Sequence, residues 1–205
     1  LDRVNANLRV EGRRLRARVV GEGANLGMTQ LGRVEYAMAG GRLNTDAIDN
    51  SAGVDTSDHE VNLKILLGQP VASGDLTREE RNALLEDNTD AVAESVLRDN
   101  YLQTLAISVA ESRAPDLLDS HAALIRDLER SGRLDRHLEG LPDEEIIESR
   151  RETGQGLTRP EIAVLLAYAK NALNESVLES RLLDDPALVA DLERYFPAPV
   201  VEAHG

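Results

Sequence analysis

The chain has 205 residues, a net charge of −14, 41% hydrophobic residues and only 2% aromatic ones. That is enough chain to bury a core, it is too apolar for a disordered segment, and the core must be built from Leu, Ala, Val and Ile, which suits packed helices. The absence of cysteine excludes a disulfide framework, a thiolate metal site and a thiol nucleophile, and an acidic surface without a basic stripe argues against nucleic acid and anionic lipid as partners.

Residues 1–68 carry nine of the fifteen glycines and equal numbers of acidic and basic side chains, so all the excess acid lies in residues 69–205. Residues 15–20 read as a short β-type run ending at Gly21. Residues 30–39 have helical spacing, with Leu31, Val34 and Met38 on one face and a stop at Gly40-Gly41. Residues 43–48 are a second strand candidate. Residues 57–67 are again helical, with Val61, Ile65 and the flanking leucines apolar. Strand, helix, strand, helix is the grammar of a parallel α/β unit. Two strands do not make a stable sheet of that kind alone, so this part is expected to be the tail of a larger sheet.

Beyond it nearly everything reads as helix. Residues 70–75 form a linker, and Thr77-Arg78-Glu79-Glu80 is a capping box. A long helix is expected over residues 90–112, with Ala93, Leu97, Tyr101 and Leu105 recurring every four residues and Leu102 and Val109 beside them. Pro115 opens the next helix, which runs to about residue 131 and stops at Gly132. Short helices are expected over 134–138 and 142–151, and "TGQG" is a loop. Thr158-Arg159-Pro160-Glu161 is a second capping box, ahead of a helix to about residue 181 with Ile162, Leu165, Leu166, Ala169, Leu173 and Val177 on one face. A final short helix ends at Phe196-Pro197. The expected class is mainly α: a small α/β remnant of a Rossmann-type domain over residues 1–68, then a multi-helix domain over residues 69–205.

Two loops could carry chemistry. "VVGEGANLGMTQ" (residues 19–30) places glycines between a strand and a helix, where the backbone can approach a ligand and the helix start offers N–H groups to an anion. Its glycine spacing is one residue off the dinucleotide fingerprint, and a plain turn is an equally good reading of the spacing. "DNSAGVDTSDHE" (residues 49–60) also follows a strand candidate and precedes a helix, so both loops would lie at the carboxyl ends of parallel strands. Asn50 and Ser51 could orient a cofactor amide or ribose. Ser57-Asp58-His59-Glu60 also fits a capping box, which would close a helix start with or without a ligand. The four histidines show neither an i,i+4 acidic partner nor metal-ligand spacing, so no metal is expected. No nucleophile elbow or Walker loop appears.

The two loops together resemble the glutamate dehydrogenases. "EGAN" (residues 22–25), then Asn50, Gly53-Val54, Ser57 and Glu60, keep the register of that family's paired motifs. Ser51-Ala52, Asp55-Thr56 and Asp58-His59 depart from the small-subunit enzymes. Those departures, with "LRDNYLQTLAIS" and "GQGLTRPEIAVLLAYAK", resemble the large-subunit bacterial NAD-specific class along essentially the whole chain. The resemblance implies oxidative deamination of L-glutamate to 2-oxoglutarate and ammonia, with NAD as cofactor. It implies that Gly23, Ala24, Asn25 and Asn50 contact NAD, and that Ser57 binds the substrate's side-chain carboxylate. The family's catalytic lysine and aspartate match nothing here. The sequence starts at Leu1, and the expectation is a piece of a longer cytoplasmic enzyme, inactive alone and a homo-oligomer at full length, with neither nucleic acid nor membrane as partner. The alternatives are another amino-acid dehydrogenase of the same superfamily, or a helical interaction or regulatory module for which the loops are only turns.

Overall fold

A computed structural model describes residues 10–23 and 27–204. They are mainly helical, and no helix among them is long and apolar enough to cross a membrane. By packing, the chain divides into two compact units, one made of Leu1–Asn50 and Gln103–Leu173, the other of Ser51–Leu102 and Asn174–Gly205.

In the first unit a 3-10 turn (Gly12–Arg14) precedes a segment without regular structure over residues 15–23. Among the described residues one β-bridge pairs it, Val19 with Arg42 in parallel. Val20 N–H donates to Arg42 O (2.9 Å) and Arg42 N–H to Arg18 O (3.0 Å). Between these segments lies helix α1 (Gln30–Met38), opened by the Thr29 side chain, which accepts from Gly32 N–H, and closed at Ala39 before Gly40, whose φ of 92° only glycine adopts freely. The second predicted strand does not form. Leu43 is buried as a strand residue would be, but the chain then turns into the single-turn helix α2 (Asp46–Asp49). Asn44, Thr45 and Asp46 prefer turns to extended chain, and one bridge gives a strand nothing to propagate along.

The unit's core gathers on helix α7 (Ala114–Arg130), where Pro115 occupies the first turn and Ala114, Leu118, Ala122, Ile125 and Leu128 are buried along one face. Packed against them are Ile107 from the C-terminal part of α6 (Thr89–Ser112), Ile147 from α8 (Glu144–Glu152), and Ile162, Ala163 and Leu165 from the start of α9 (Arg159–Leu178), with Ile48, Leu141 and Leu157. Gly156 marks a tight approach between backbones: a Cβ there would sit 2.2 Å from the backbone carbon of Ala114. Residues 134–138 do not form the predicted helix; a turn covers residues 136–140. The Arg136 guanidinium fastens them to Glu129 (2.8 Å) and Glu144 (3.0 Å).

The second unit is built on α3 (Ser51–Leu66), α4 (Gly68–Ser73), α5 (Arg78–Asp87), the N-terminal part of α6, α10 (Val189–Tyr195) and α11 (Ala198–His204). Its smaller core is Leu63, Leu67, Leu76 and Val200, with Leu84, Leu85, Val92 and Phe196 against it. The Thr77 capping box forms as read, with the threonine oxygen accepting from Glu80 N–H and the Glu80 carboxylate accepting from Thr77 N–H. That contact, through the backbone first and the hydroxyl second, holds the Glu80 carboxyl below its usual range. The predicted linker over 70–75 is largely taken up by α4.

Helix α3 starts at Ser51, six residues before the predicted start. Ser57 therefore sits inside the helix, and the Ser57–Glu60 capping box does not exist. Glu60 instead pairs with Lys64 one turn on. The predicted apolar faces of α1 and α6 are also turned outward, and on α3 the apolar residues divide, with the flanking Leu63 and Leu67 buried. On α1, Leu31 and Met38 are 70% and 63% exposed while Arg33 and Tyr36 are buried. On α3, Val61 and Ile65 are exposed and His59 and Leu63 are buried. On α6, Leu97 and Tyr101 are exposed and Val96 and Ile107 are buried. Leu31, Val34 and Met38 line a groove of about 740 Å³ with Pro142 and Ile146.

Candidate functional site

The first candidate loop is anchored by a buried acid. Glu22 is 5% exposed. Its carboxylate accepts from Arg33 Nε (2.6 Å), Arg33 Nη2 (2.9 Å) and Met28 N–H (3.0 Å). Arg33 is buried on the inner face of α1 and also lies 3.2 Å from Asp46 Oδ1. Burial opposes the charge on Arg33. The bonds and charge of Glu22, with Asp46 behind them, outweigh it and raise the guanidinium above its ordinary pKa. A bidentate guanidinium–carboxylate pair of this kind fixes geometry as well as charge.

Glu22 also ties the two candidate loops together. Its N–H donates to Asp49 Oδ2 (2.9 Å), 27 residues away. The other Asp49 oxygen accepts from Asn44 Nδ2 (2.7 Å), and Asn44 Oδ1 accepts from Arg159 Nε (2.7 Å). Arg159 Nη1 donates to Ser108 Oγ (3.0 Å) and Glu111 Oε2 (2.9 Å). Arg159 thus holds the 44–50 segment against α6 through a five-donor fork that lysine could not reproduce. The glycine loop and the segment ending at Asn50 are adjacent because this chain of side chains holds them so.

Gly23 is exposed, and a Cβ added to it would meet nothing within 4 Å. Its backbone faces open space, as a close cofactor contact requires. Ala24 and Asn25 lie outside the described residues. Asn50 is half-buried and closes α2, its N–H donating to Asp46 O and Ile48 O. Ser57 is exposed on α3, in the other unit. The structure brings Gly23 and the Asn50 segment together, and it removes the argument that Ser57 works from a helix N-terminus.

Sequence reasoning missed the groups that do the holding. Glu22 lies inside the EGAN motif and Arg159 inside a capping segment, and local spacing identifies a partner for neither. The second capping box does contain the hydrogen bonds from Thr158 N–H (2.6 Å) and hydroxyl (2.7 Å) to Glu161. The same carboxylate, 1% exposed, is held by Arg150 Nη1 at 2.7 Å and Nη2 at 3.0 Å. The reading of the histidines needs correction too. Asp55 precedes His59 by one helical turn, and with Asp99 these residues bring one ligand atom each to within 4.8 Å of one another.

The sequence matches the family described as "Bacterial NAD-glutamate dehydrogenase, catalytic domain" over residues 1–110, and the family "Glutamate dehydrogenase, C-terminal" over residues 154–205. Among curated proteins it is 54% identical over 204 residues to an NAD-specific glutamate dehydrogenase of Pseudomonas aeruginosa, covering 100% of this chain and 13% of that protein. It is 48% identical to the enzymes of that name from Halomonas elongata and Mycobacterium tuberculosis, covering 99% and 98% of this chain and 13% and 12% of theirs. The chain therefore spans about an eighth of the length of the curated relatives it matches. With residues 1–110 of 205 matched by the first description, the chain belongs to the bacterial NAD-glutamate dehydrogenase family.

Proposed function

We propose that this chain is part of a cytoplasmic enzyme that oxidatively deaminates L-glutamate to 2-oxoglutarate and ammonia. Residues 1–68 form the C-terminal part of a Rossmann-type NAD-binding domain, and residues 69–205 a helical C-terminal domain. Support for the first assignment comes from the parallel Val19–Arg42 bridge spanning helix α1, since parallel pairing needs a crossover of that kind.

The observation that carries the reading is the Glu22 N–H to Asp49 bond (2.9 Å), which sets the Gly23 loop beside the segment ending at Asn50. Gly23, Ala24, Asn25 and Asn50 hold the nicotinamide end of NAD, which when bound supplies the hydride acceptor. The open face of Gly23 lets backbone groups approach the cofactor. Glu22, Arg33, Asp49, Asn44 and Arg159 position these contacts without touching the reactants. Ser57 donates from an exposed hydroxyl to the side-chain carboxylate of glutamate. The residues that handle the amine proton belong to the remainder of the enzyme, which works as a homo-oligomer.

Asn50→Ala in the full-length protein tests the assignment. Glutamate-dependent NADH formation should lose at least about tenfold in kcat/KM, about 1.4 kcal/mol, with the circular dichroism unchanged. Unaltered kinetics would remove Asn50 from the site. The 205-residue chain alone should form no NADH from glutamate.

A further inference from the structure

Helix α3 presents Asp55 and His59 on one face, as positions four apart must be. Asp99 reaches the same place from α6 in the same unit. One donor atom from each lies within 4.8 Å of the other two. The closest approach of Asp55 Oδ1 to His59 Nε2 is 3.8 Å. That is too long for a hydrogen bond. It does suit two ligands on one small cation, since bonds of about 2.1 Å separate ligand atoms by up to about 4.2 Å.

A second, independent observation concerns the imidazole itself. His59 is 2% exposed, and neither ring nitrogen has a hydrogen-bond partner among the described residues. A buried polar group left unbonded costs about 1–3 kcal/mol. The ring is nonetheless held in one orientation. It stacks on Tyr195 with centroids 4.4 Å apart and planes 11° from parallel. Tyr195 is held in turn by Asn62 Nδ2, which donates to its hydroxyl at 2.9 Å, and by the edge of Phe196. A simple His59–Asp55 ion pair would explain neither the 3.8 Å gap nor the second unbonded nitrogen.

We propose that Asp55, His59 and Asp99 form a binding site for one divalent first-row transition-metal ion. One nitrogen and two carboxylate oxygens supply three positions, and the two carboxylates balance the charge of the cation. Water completes the coordination. A mixed nitrogen and oxygen donor set selects Mn²⁺, Co²⁺ or Zn²⁺ over Mg²⁺ and Ca²⁺, which prefer oxygen alone. Asp99 is 47% exposed at its side chain and, among the described residues, its ion pair is a 3.7 Å contact to Arg98, so ions enter from its side and displace little.

The test is a titration of the chelator-treated 205-residue chain with Co²⁺, followed by visible absorption, and with Zn²⁺ by calorimetry. One equivalent should bind more tightly than about 100 μM, and millimolar Mg²⁺ should not displace it. Asp99→Asn, which alters an exposed side chain, should weaken binding at least about tenfold. His59→Ala should abolish it. Absence of stoichiometric binding overturns the site, and so does wild-type affinity in the Asp99→Asn chain. The Asp99→Asn chain decides the matter even if His59→Ala fails to fold.

Discussion

The two compact units differ most at their most deeply buried ionisable side chains. In the first, among the described residues, the two buried carboxylates are fully partnered: Glu22 is taken up by Arg33 and the Met28 amide, and Glu161 by Arg150 and Thr158, while His121 Nδ1 alone is left without a partner. In the second, the buried imidazole of His59 is packed but unbonded. Saturated polar groups specify one arrangement. An unsaturated one stores a cost that a ligand can relieve. The ion pairs of the first unit therefore hold a shape, and His59 in the second leaves both ring nitrogens open to a ligand.

The contrast breaks most sharply at Arg150. Arg150→Ala should lower unfolding free energy by about 3–5 kcal/mol in urea titration, because it strands Glu161, whereas Arg150→Met with Glu161→Leu should come close to neutral. If the single change costs under about 1 kcal/mol, the pair is not holding the shape. Gly156→Ala should cost about 1–3 kcal/mol or more, since its Cβ would collide with the Ala114 backbone at 2.2 Å. Thermal unfolding would read this directly.

In metal-free buffer His59→Phe should have the opposite sign, leaving stability unchanged or raising it by up to about 2 kcal/mol. A clear loss of stability would show that the imidazole is satisfied after all. Burial also lowers the pKa of His121 in the first unit. Below pH 6.5 the unfolded chain binds that proton more readily than the folded one, so stability falls as pH drops through this range. His121→Gln should flatten that acid limb in pH-dependent denaturation. The smallest effect concerns alkaline pH. The Glu139 carboxylate, accepting from the Tyr168 hydroxyl at 2.7 Å, pushes that phenol up to about 12. Its stabilisation is complete below about pH 10 and is lost as pH rises through about 12, a loss absent from Tyr168→Phe.

Much of this was legible. Local signals worked where a few neighbouring residues decide: the Thr77 box, the Pro115 start and the Gly132 stop each reflect backbone groups that a nearby side chain or glycine must satisfy. Helix α7 was readable because its apolar positions form one stripe and its core lies in this chain. Faces failed on α1 and α6; along α6 apolar residues surround the helix and periodicity cannot choose a side. Tyr36 and Arg33 are buried at the expense of Leu31 and Met38 because their polar ends find partners, Ala17 O at 2.7 Å and Glu22 at 2.6 Å. The strands failed because pairing depends on neighbours that no local pattern reveals. At the candidate site, "EGAN" marked the loop, but its attachment runs through Asp49, Asn44 and Arg159, a link that spans 115 residues and leaves no signal in spacing.

That span has a consequence in time. Asn44 cannot find Arg159 until α9 has docked on α7, and Gln30 likewise waits for Pro160 O, 130 residues away. Contacts of such separation form late, because the chain must close a long loop before they return anything. During refolding, amide protection should therefore appear first along α7 and last around Glu22 and Asp49. The loop proposed to meet the cofactor would be the final part of its unit to set, and the first to loosen when the unit is strained.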